Sequence, residues 1–169
     1  MAFDFTEALT QAGMTEEAAG ALSAAVGAGT PVFVAASALA EGSGFGMSAT
    51  LPDALGPLRL CDPAADEGGF FMTAVPTLWD SVTVSAIVEA SSGSGNVVLR
   101  SGLAGAQGSP FTVTGVGSHQ EVELVTGSPV AYADDMGGLL VAFQRVGTAV
   151  ADTLASDLIV VGFTIRAAT

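Results

Sequence analysis

The sequence predicts a mainly β protein, a jelly-roll-like β-sandwich that is preceded by a short N-terminal helical hairpin. Three observations support this fold class. Apolar and polar residues alternate in short segments after residue 31, Gly, Pro and Ser turns separate those segments, and little helical periodicity follows residue 30. The 169 residues are 50% hydrophobic, which is enough apolar material for one compact core.

Residues 1–30 form a predicted N-terminal helical arm. Phe5 and Leu9 share one face of the first helix, Thr15 can cap a second helix, and Leu22 lies on the apolar face of that second helix. Such a hairpin serves either as a packing appendage or as an arm that docks onto a larger assembly.

Residues 31–169 form the predicted β-sandwich domain. Its predicted strands are residues 32–34, 70–75, 82–88, 97–101, 111–116, 121–126, 138–146 and 158–166. Residues 41–69, rich in Gly, Pro, Ser and Asp, are predicted to be a long irregular connection. Residues 158–166 are partly apolar on both sides, which indicates a central strand or a strand at a subunit interface.

The charge balance excludes several classes of partner. The chain has 17 acidic residues, four Arg and no Lys, and its net charge is −13. A nucleic acid partner is not expected because phosphate binding needs a basic surface. No apolar stretch is long enough to predict a membrane span, so no membrane partner is expected either.

The sequence offers no convincing catalytic set, and the chain is predicted not to be an enzyme. Cys61 is the only cysteine, so it is interpreted as a small buried apolar residue. His119 is the only histidine, and a catalytic base or metal site there would need Glu121 or Glu123 beside it. We therefore predict no catalytic residues, no cofactor and no metal.

Two acidic clusters leave calcium open as an alternative. Asp134 and Asp135 form one, and Asp62, Asp66 and Glu67 form the other. Calcium takes oxygen ligands, but the spacing does not match a helix–loop–helix calcium loop. The same aspartates, Asp134 and Asp135, are the candidates for an acidic-residue hydrolase, the least favoured alternative.

Two segments resemble a known family. Residues 139–145 and 150–165 are similar to the closing strands of β-sandwich virion structural proteins of tailed bacteriophages, of the capsid decoration, cement or head-spike type. Residues 78–84 resemble the opening of the same sandwich, and the resemblance covers residues 70–169. Arg145 ends one strand, and either Asp152 or Asp157 in the following loop can pair with it. Trp79 is interpreted as a core anchor, with an anchor in an oligomer interface as the alternative.

The resemblance implies a structural role. It implies a capsid decoration or cement protein that stabilises the outer surface of the virion head as a homo-oligomer, most simply a homotrimer, with the major capsid protein and further copies of itself as partners. Arg145, Asp152, Asp157, Trp79, Phe5, Leu9 and Leu22 are the candidate structural or interface residues. The alternative is a tail, receptor-binding or head-fibre component that contacts host-surface glycan.

Overall fold

The computed structural model describes residues 7, 10–20, 29, 31–40, 48–53, 56–76, 79–103, 107–132 and 136–168. In the N-terminal arm, residues 10–11 and 16–20 are helical. The Thr15 Oγ1 accepts a hydrogen bond from the Ala18 N–H at 3.3 Å, as an N-cap does. Phe5, Leu9 and Leu22 lie outside the described residues. No helix in the described part of the chain is long and apolar enough to cross a membrane.

Most of the described chain after residue 30 is β-strand. Its strands are β1 (Val32–Ala35), β2 (Ser48–Asp53), β3 (Gly56–Cys61), β4 (Asp66–Val75), β5 (Val82–Ala90), β6 (Gly95–Leu103), β7 (Phe111–Val116), β8 (Gln120–Gly127), β9 (Val130–Tyr132), β10 (Met136–Val146) and β11 (Leu158–Ala167). A short 3-10 turn, Ala36–Ala38, follows β1.

These strands form two antiparallel sheets packed face to face. The six-stranded sheet has the order β2-β3-β11-β5-β8, and β1 pairs with β11 beyond the end of β3. The five-stranded sheet has the order β4-β10-β6-β7, and β9 pairs with β10. The predicted mainly β sandwich is confirmed.

The core lies between the two sheets. Phe163 from the six-stranded sheet packs against Phe71 and Phe143 from the other, with ring centroids 4.7 and 5.5 Å apart. Trp79 is only 4% exposed and belongs to this core. Gly29 has φ of +54°, and a Cβ there would lie 2.8 Å from the Trp79 ring, so this close approach requires glycine. Little of the Trp79 side chain remains for an interface.

Residues 41–69 differ from the predicted irregular connection, because β2, β3 and the start of β4 lie within them. The β2–β3 hairpin pairs Pro52 with Pro57, and neither residue can donate a backbone N–H. Because prolines are typical of loops, the sequence did not indicate strands here. The sheet tolerates them because β2 is an edge strand and β11 pairs with β3 only at residues 59–61.

A β-bulge changes which side chains of β11 face the core. Strict alternation predicts that Ile159 and Phe163 share one side and that Val160 lies on the other. The register with β5 shifts between Val160 and Gly162, so Val160 and Phe163 both face the core. The strand is central, between β3 and β5, as the pattern of residues 158–166 indicated.

Candidate functional site

One end of the sandwich, here called the closed end, contains Cys61, Arg145 and the loop of residues 147–157. Arg145 lies at its centre and is 0% exposed. Its Nε and Nη2 donate to the two carboxylate oxygens of Asp152 at 3.0 and 2.7 Å. The other N–H groups donate to the backbone carbonyls of Cys61, Leu154 and Ser156 at 3.0, 2.7 and 2.9 Å. Every N–H of the guanidinium therefore has an acceptor, which offsets the large cost of burying its charge.

The loop of residues 147–157 is fixed by the same network. Asp152 Oδ2 also accepts the Val98 N–H at 3.1 Å, which joins the loop to β6. The N–H groups of Thr153 and Leu154 both donate to the Asn96 carbonyl, at 2.8 and 3.0 Å. Asp152 thus pairs with Arg145, whereas the Asp157 backbone carbonyl accepts a hydrogen bond from the Ser91 N–H. These are structural roles.

Cys61 lies at this closed end and is 0% exposed. Burial, and secondly the nearby charge of Glu67, raise the pKa of the Cys61 thiol to about 12. A nucleophilic cysteine needs the thiolate, so this arrangement suits a packing residue rather than a catalyst.

The other candidate polar groups are engaged with neighbours. The His119 Nδ1 lies 3.3 Å from the Glu89 carboxylate rather than beside Glu121 or Glu123, and the His119 side chain is 57% exposed. Asp66 accepts hydrogen bonds from the Thr148 N–H and hydroxyl at 3.1 and 2.7 Å.

The acidic clusters form no metal site in the described part of the chain. There, no group of three or more His, Cys, Asp or Glu side chains is placed to hold a metal ion. Glu67 accepts the Asp62 N–H at 2.6 Å, so this cluster bonds to the local backbone. Asp134 and Asp135 lie outside the described residues.

The outer surface of the six-stranded sheet, here called the polar face, carries a charged network. The Glu121 carboxylate on β8 reaches across β5 and accepts hydrogen bonds from the Thr164 hydroxyl and from both terminal nitrogens of Arg166, one of them at 3.1 Å. The hydrogen bonds from Arg166 and Thr164 lower the pKa of Glu121 to about 2. The pair remains open to water, with side chains 44% and 39% exposed.

Phe33 adds one aromatic ring to the polar face. It is 55% exposed and lies opposite Thr164 in the β1–β11 pairing. A Cβ on Gly162 would lie 2.6 Å from the Phe33 ring, so the ring rests on the bare backbone of Gly162. The polar face therefore combines a half-exposed ring with adjacent hydrogen-bonding groups.

The outer surface of the five-stranded sheet, here called the apolar face, has a different character. Its outward residues on β4 and β10 are Phe70, Met72, Ala74, Leu140 and Ala142, each exposed or half-buried. Phe70 is 41% exposed and Met72 is 59% exposed. In the described chain, no carboxylate lies on this face between Gly68 and Ala74 of β4, or on β10.

A polar pair adjoins the apolar face. Gln144 on β10 lies directly opposite Arg100 on β6, and Gln144 is only 6% exposed. The Arg100 Nη1 donates to the Gln107 Oε1 at 3.3 Å. Within the described residues, the Oε1 of Gln144 and the Nε of Arg100 are buried without a hydrogen-bond partner. Such an unpaired group costs about 1–3 kcal/mol when it is buried.

Sequence reasoning did not identify either face. Apolar side chains lie on both sides of β4: Phe70 and Met72 face outward, whereas Phe71 and Val75 face the core. The sequence pattern therefore does not show which of these apolar residues are exposed. Once the strand register is known, outward Phe and Met on adjacent strands become the available signal.

Comparisons with known proteins bear on the fold. No protein-family model matches the sequence, and no curated protein is similar to it. The CBM36-1 domain of a multidomain xylanase from the hindgut metagenome of Trinervitermes trinervoides has a TM-score of 0.51 at 11% identity, with 83% of this chain and 99% of that domain covered.

Two larger proteins match this chain over part of their own length. The GH26-CBM35 β-(1,4)-mannanase of Podospora anserina has a TM-score of 0.52 at 11% identity over 82% of this chain. A family two carbohydrate esterase from Cellvibrio japonicus has a TM-score of 0.47 at 14% identity over 83% of this chain. This chain spans only 28% of the mannanase and 34% of the esterase. At such low identity the likenesses to the CBM36-1 domain and to the mannanase establish the fold alone, a β-sandwich like that of carbohydrate-binding modules.

Proposed function

We propose that this chain is a non-catalytic structural subunit of a tailed-phage virion, a decoration or cement protein on the outer surface of the capsid. The observation that carries the proposal is the apolar face, which is free of carboxylates in its described central part although the whole chain has a net charge of −13. Exposed apolar patches of this kind mark sites of protein association. Acidic groups elsewhere keep the protein soluble.

Two further observations support a virion role. Residues 139–145 and 150–165 resemble the closing strands of tailed-phage sandwich proteins. They correspond to most of β10, most of the loop of residues 147–157 and most of β11. The buried Arg145–Asp152 pair joins β10 to the loop within that closing unit. In the proposed assembly, the apolar face joins copies of the chain, and the arm of residues 1–30 contacts the major capsid protein.

The proposal is tested by the copy number of this chain relative to the major capsid protein, measured by quantitative mass spectrometry of purified virions. We expect a ratio near one, or a sizeable fraction of it, because a decoration protein repeats across the head. A ratio of a few per cent would instead place the chain in a tail tip, fibre or spike. Absence from the particles would overturn the virion role.

A second candidate function is the binding of surface glycan through the polar face. The specific observation is Phe33, whose half-exposed ring lies opposite Thr164, and the Thr164 hydroxyl in turn donates to the Glu121 carboxylate of the Arg166–Glu121 pair. An aromatic surface next to a few fixed hydrogen-bonding groups is a common arrangement in small-molecule sites. The similar folds named as carbohydrate-binding modules fit this candidate.

A glycan array tests the second candidate. We expect the wild-type protein to bind at least one glycan and Phe33→Ala to lose that signal. Val150→Ala is the matched control because Val150 is 99% exposed on the loop of residues 147–157. Binding that survives Phe33→Ala would place the glycan elsewhere, and no binding at all would remove this candidate.

A further inference from the structure

The polar face contains a short apolar strip that crosses three strands. The Phe33 ring on β1 rests on Gly162 of β11, since a Cβ on Gly162 would lie 2.6 Å from it, and Phe33 is 55% exposed. Gly162 pairs on its other side with Ile87 of β5. Ile87 points outward and is half-buried, because its neighbours on both sides along β5 face the core. Phe33, Gly162 and Ile87 are here called the apolar strip.

Fixed hydrogen-bonding groups adjoin the apolar strip. Thr164, the next outward residue after Gly162 on β11, donates its hydroxyl to Glu121, and Glu121 lies opposite Ile87 in the β5–β8 pairing. Arg166 donates to the same carboxylate and to the Thr164 hydroxyl. Among the described residues these bonds use three of the five N–H groups of Arg166, so the half-exposed guanidinium keeps donors that a ligand can use.

An apolar strip beside fixed donors matches the two kinds of surface on a sugar ring. A pyranose presents C–H groups on its faces and hydroxyl groups around its rim, so one side packs on an aromatic ring while the rim forms hydrogen bonds. A peptide that adds a strand would need a free edge, whereas β11 and β5 are interior strands. A purely apolar ligand would cover the Arg166 donors without pairing them.

The charges on the polar face select among sugars. Glu121, Glu123 and Glu89 all carry carboxylates on this face. Arg166 is already paired with Glu121, and His119 lies beside Glu89. A sugar acid would therefore bring a further negative charge to a surface on which carboxylates outnumber arginine, and like charges repel. The polar face suits a neutral sugar.

We propose that the apolar strip and its adjoining groups bind a neutral, extended β-1,4-linked oligosaccharide that lies across the strands. The inference rests on the second candidate function, glycan binding through the polar face, and deepens it by naming the class of glycan. Neighbouring strands are about 4.8 Å apart, close to the length of one sugar residue, so a strip that crosses β1, β11 and β5 accommodates about three sugars. One sugar stacks on Phe33, the chain continues over Ile87, and Arg166 donates to hydroxyl oxygens at its rim.

Isothermal titration calorimetry with β-1,4-linked oligosaccharides of glucose, xylose and mannose tests the length and the charge of the ligand. We expect at least one neutral trisaccharide to bind at least about tenfold more tightly than its monosaccharide, with little further gain for the tetrasaccharide, because the strip ends at β5. The trimer of β-1,4-linked glucuronic acid should bind at least about tenfold more weakly than the neutral trimer, because its carboxylates meet those of the polar face.

Substitutions on the polar face test the site itself. Phe33→Ala removes the stacking surface and Arg166→Met removes the donors, so each should weaken binding of the neutral trimer about tenfold or more. Glu89→Gln is the matched control, because Glu89 lies on the same sheet outside the apolar strip and should leave the dissociation constant within about twofold. The melting temperature of each variant shows that the sandwich remains folded.

The outcomes separate this inference from the candidate function on which it rests. A glycan that binds the array through Phe33 but is a sugar acid, or a monosaccharide that binds as tightly as the trimer, would retain glycan binding and overturn the neutral, extended ligand. Binding of a neutral trimer that survives Phe33→Ala or Arg166→Met would overturn the site. Failure of every neutral trimer to bind would overturn the inference, and an array without signal would remove the candidate function as well.

Discussion

Two arginine–carboxylate pairs in this molecule have the same chemistry in different surroundings. Arg145 and Asp152 meet at the closed end of the sandwich with side chains 0% and 1% exposed, whereas Arg166 and Glu121 meet on the polar face with side chains 44% and 39% exposed. In both pairs, two guanidinium nitrogens bind the two oxygens of one carboxylate. The surroundings, not the contact itself, determine what each pair contributes to stability.

The difference follows from solvent. Water and salt screen the exposed pair and replace either partner at little cost, so such a pair contributes about 0.2–1 kcal/mol. Removal of one partner from the buried pair leaves an uncompensated charge and costs about 3–5 kcal/mol. The buried pair also fixes the loop of residues 147–157 through the backbone carbonyls of Leu154 and Ser156 and joins it to β3 through that of Cys61, so its loss disturbs the structure around it.

The largest expected effect is that of Asp152→Ala. The free energy of unfolding, measured by urea denaturation, should fall by about 3–5 kcal/mol because Arg145 loses its countercharge in a buried site. Asp157→Ala is the matched control in the same loop and should change the free energy by about 0.5 kcal/mol or less. Equal losses in the two variants would contradict the assignment of Asp152 as the partner that stabilises the closed end.

The rate at which the Cys61 thiol is labelled provides a second test of the closed end. With its thiol buried and its pKa raised to about 12, wild-type Cys61 should react with iodoacetamide at pH 8 only through opening of the structure. Asp152→Ala should speed this labelling by about a hundredfold or more, since the open population rises with the lost stability. Mass spectrometry follows the reaction. Rapid labelling of the folded wild type would mean that the closed end is open to solvent.

The same two pairs show what the sequence can and cannot predict. Arg145 and its loop aspartates are close in sequence, so a pair was foreseeable, but the sequence left Asp152 and Asp157 as equal choices. The choice depends on the path of the loop, which Asn96 on β6 fixes through its carbonyl. Glu121 and Arg166 are 45 residues apart, and only the register of β8, β5 and β11 brings them together.

The fold itself was more predictable than its details. Strands such as β5 and β8 have one buried side, so the alternation of apolar and polar residues along them predicts the fold class directly. The β2–β3 hairpin was missed because its prolines are typical of loops, and the bulge in β11 was missed because it changes the facing of side chains without changing their composition. The outward apolar residues of β4 were also missed, because apolar residues lie on both sides of that strand and composition alone does not separate them.

The smallest expected effect is the pH dependence of the exposed pair. Because the pKa of Glu121 is lowered from 4.5 to about 2 in the folded protein, its contribution is fully present above pH 4.5 and is lost as the pH falls toward 2. We therefore expect the free energy of unfolding in urea at pH 6 to be about 0.2–1 kcal/mol higher for wild type than for Glu121→Gln. This difference should disappear as the pH falls from 4.5 to about 2. The comparison with Glu121→Gln removes the titration of the other carboxylates, and the gap should also shrink in 1 M salt, about where the screening length falls to 3 Å. A gap of several kcal/mol, or one that is constant with pH, would mean that this pair behaves like the buried one and that exposure does not separate the two.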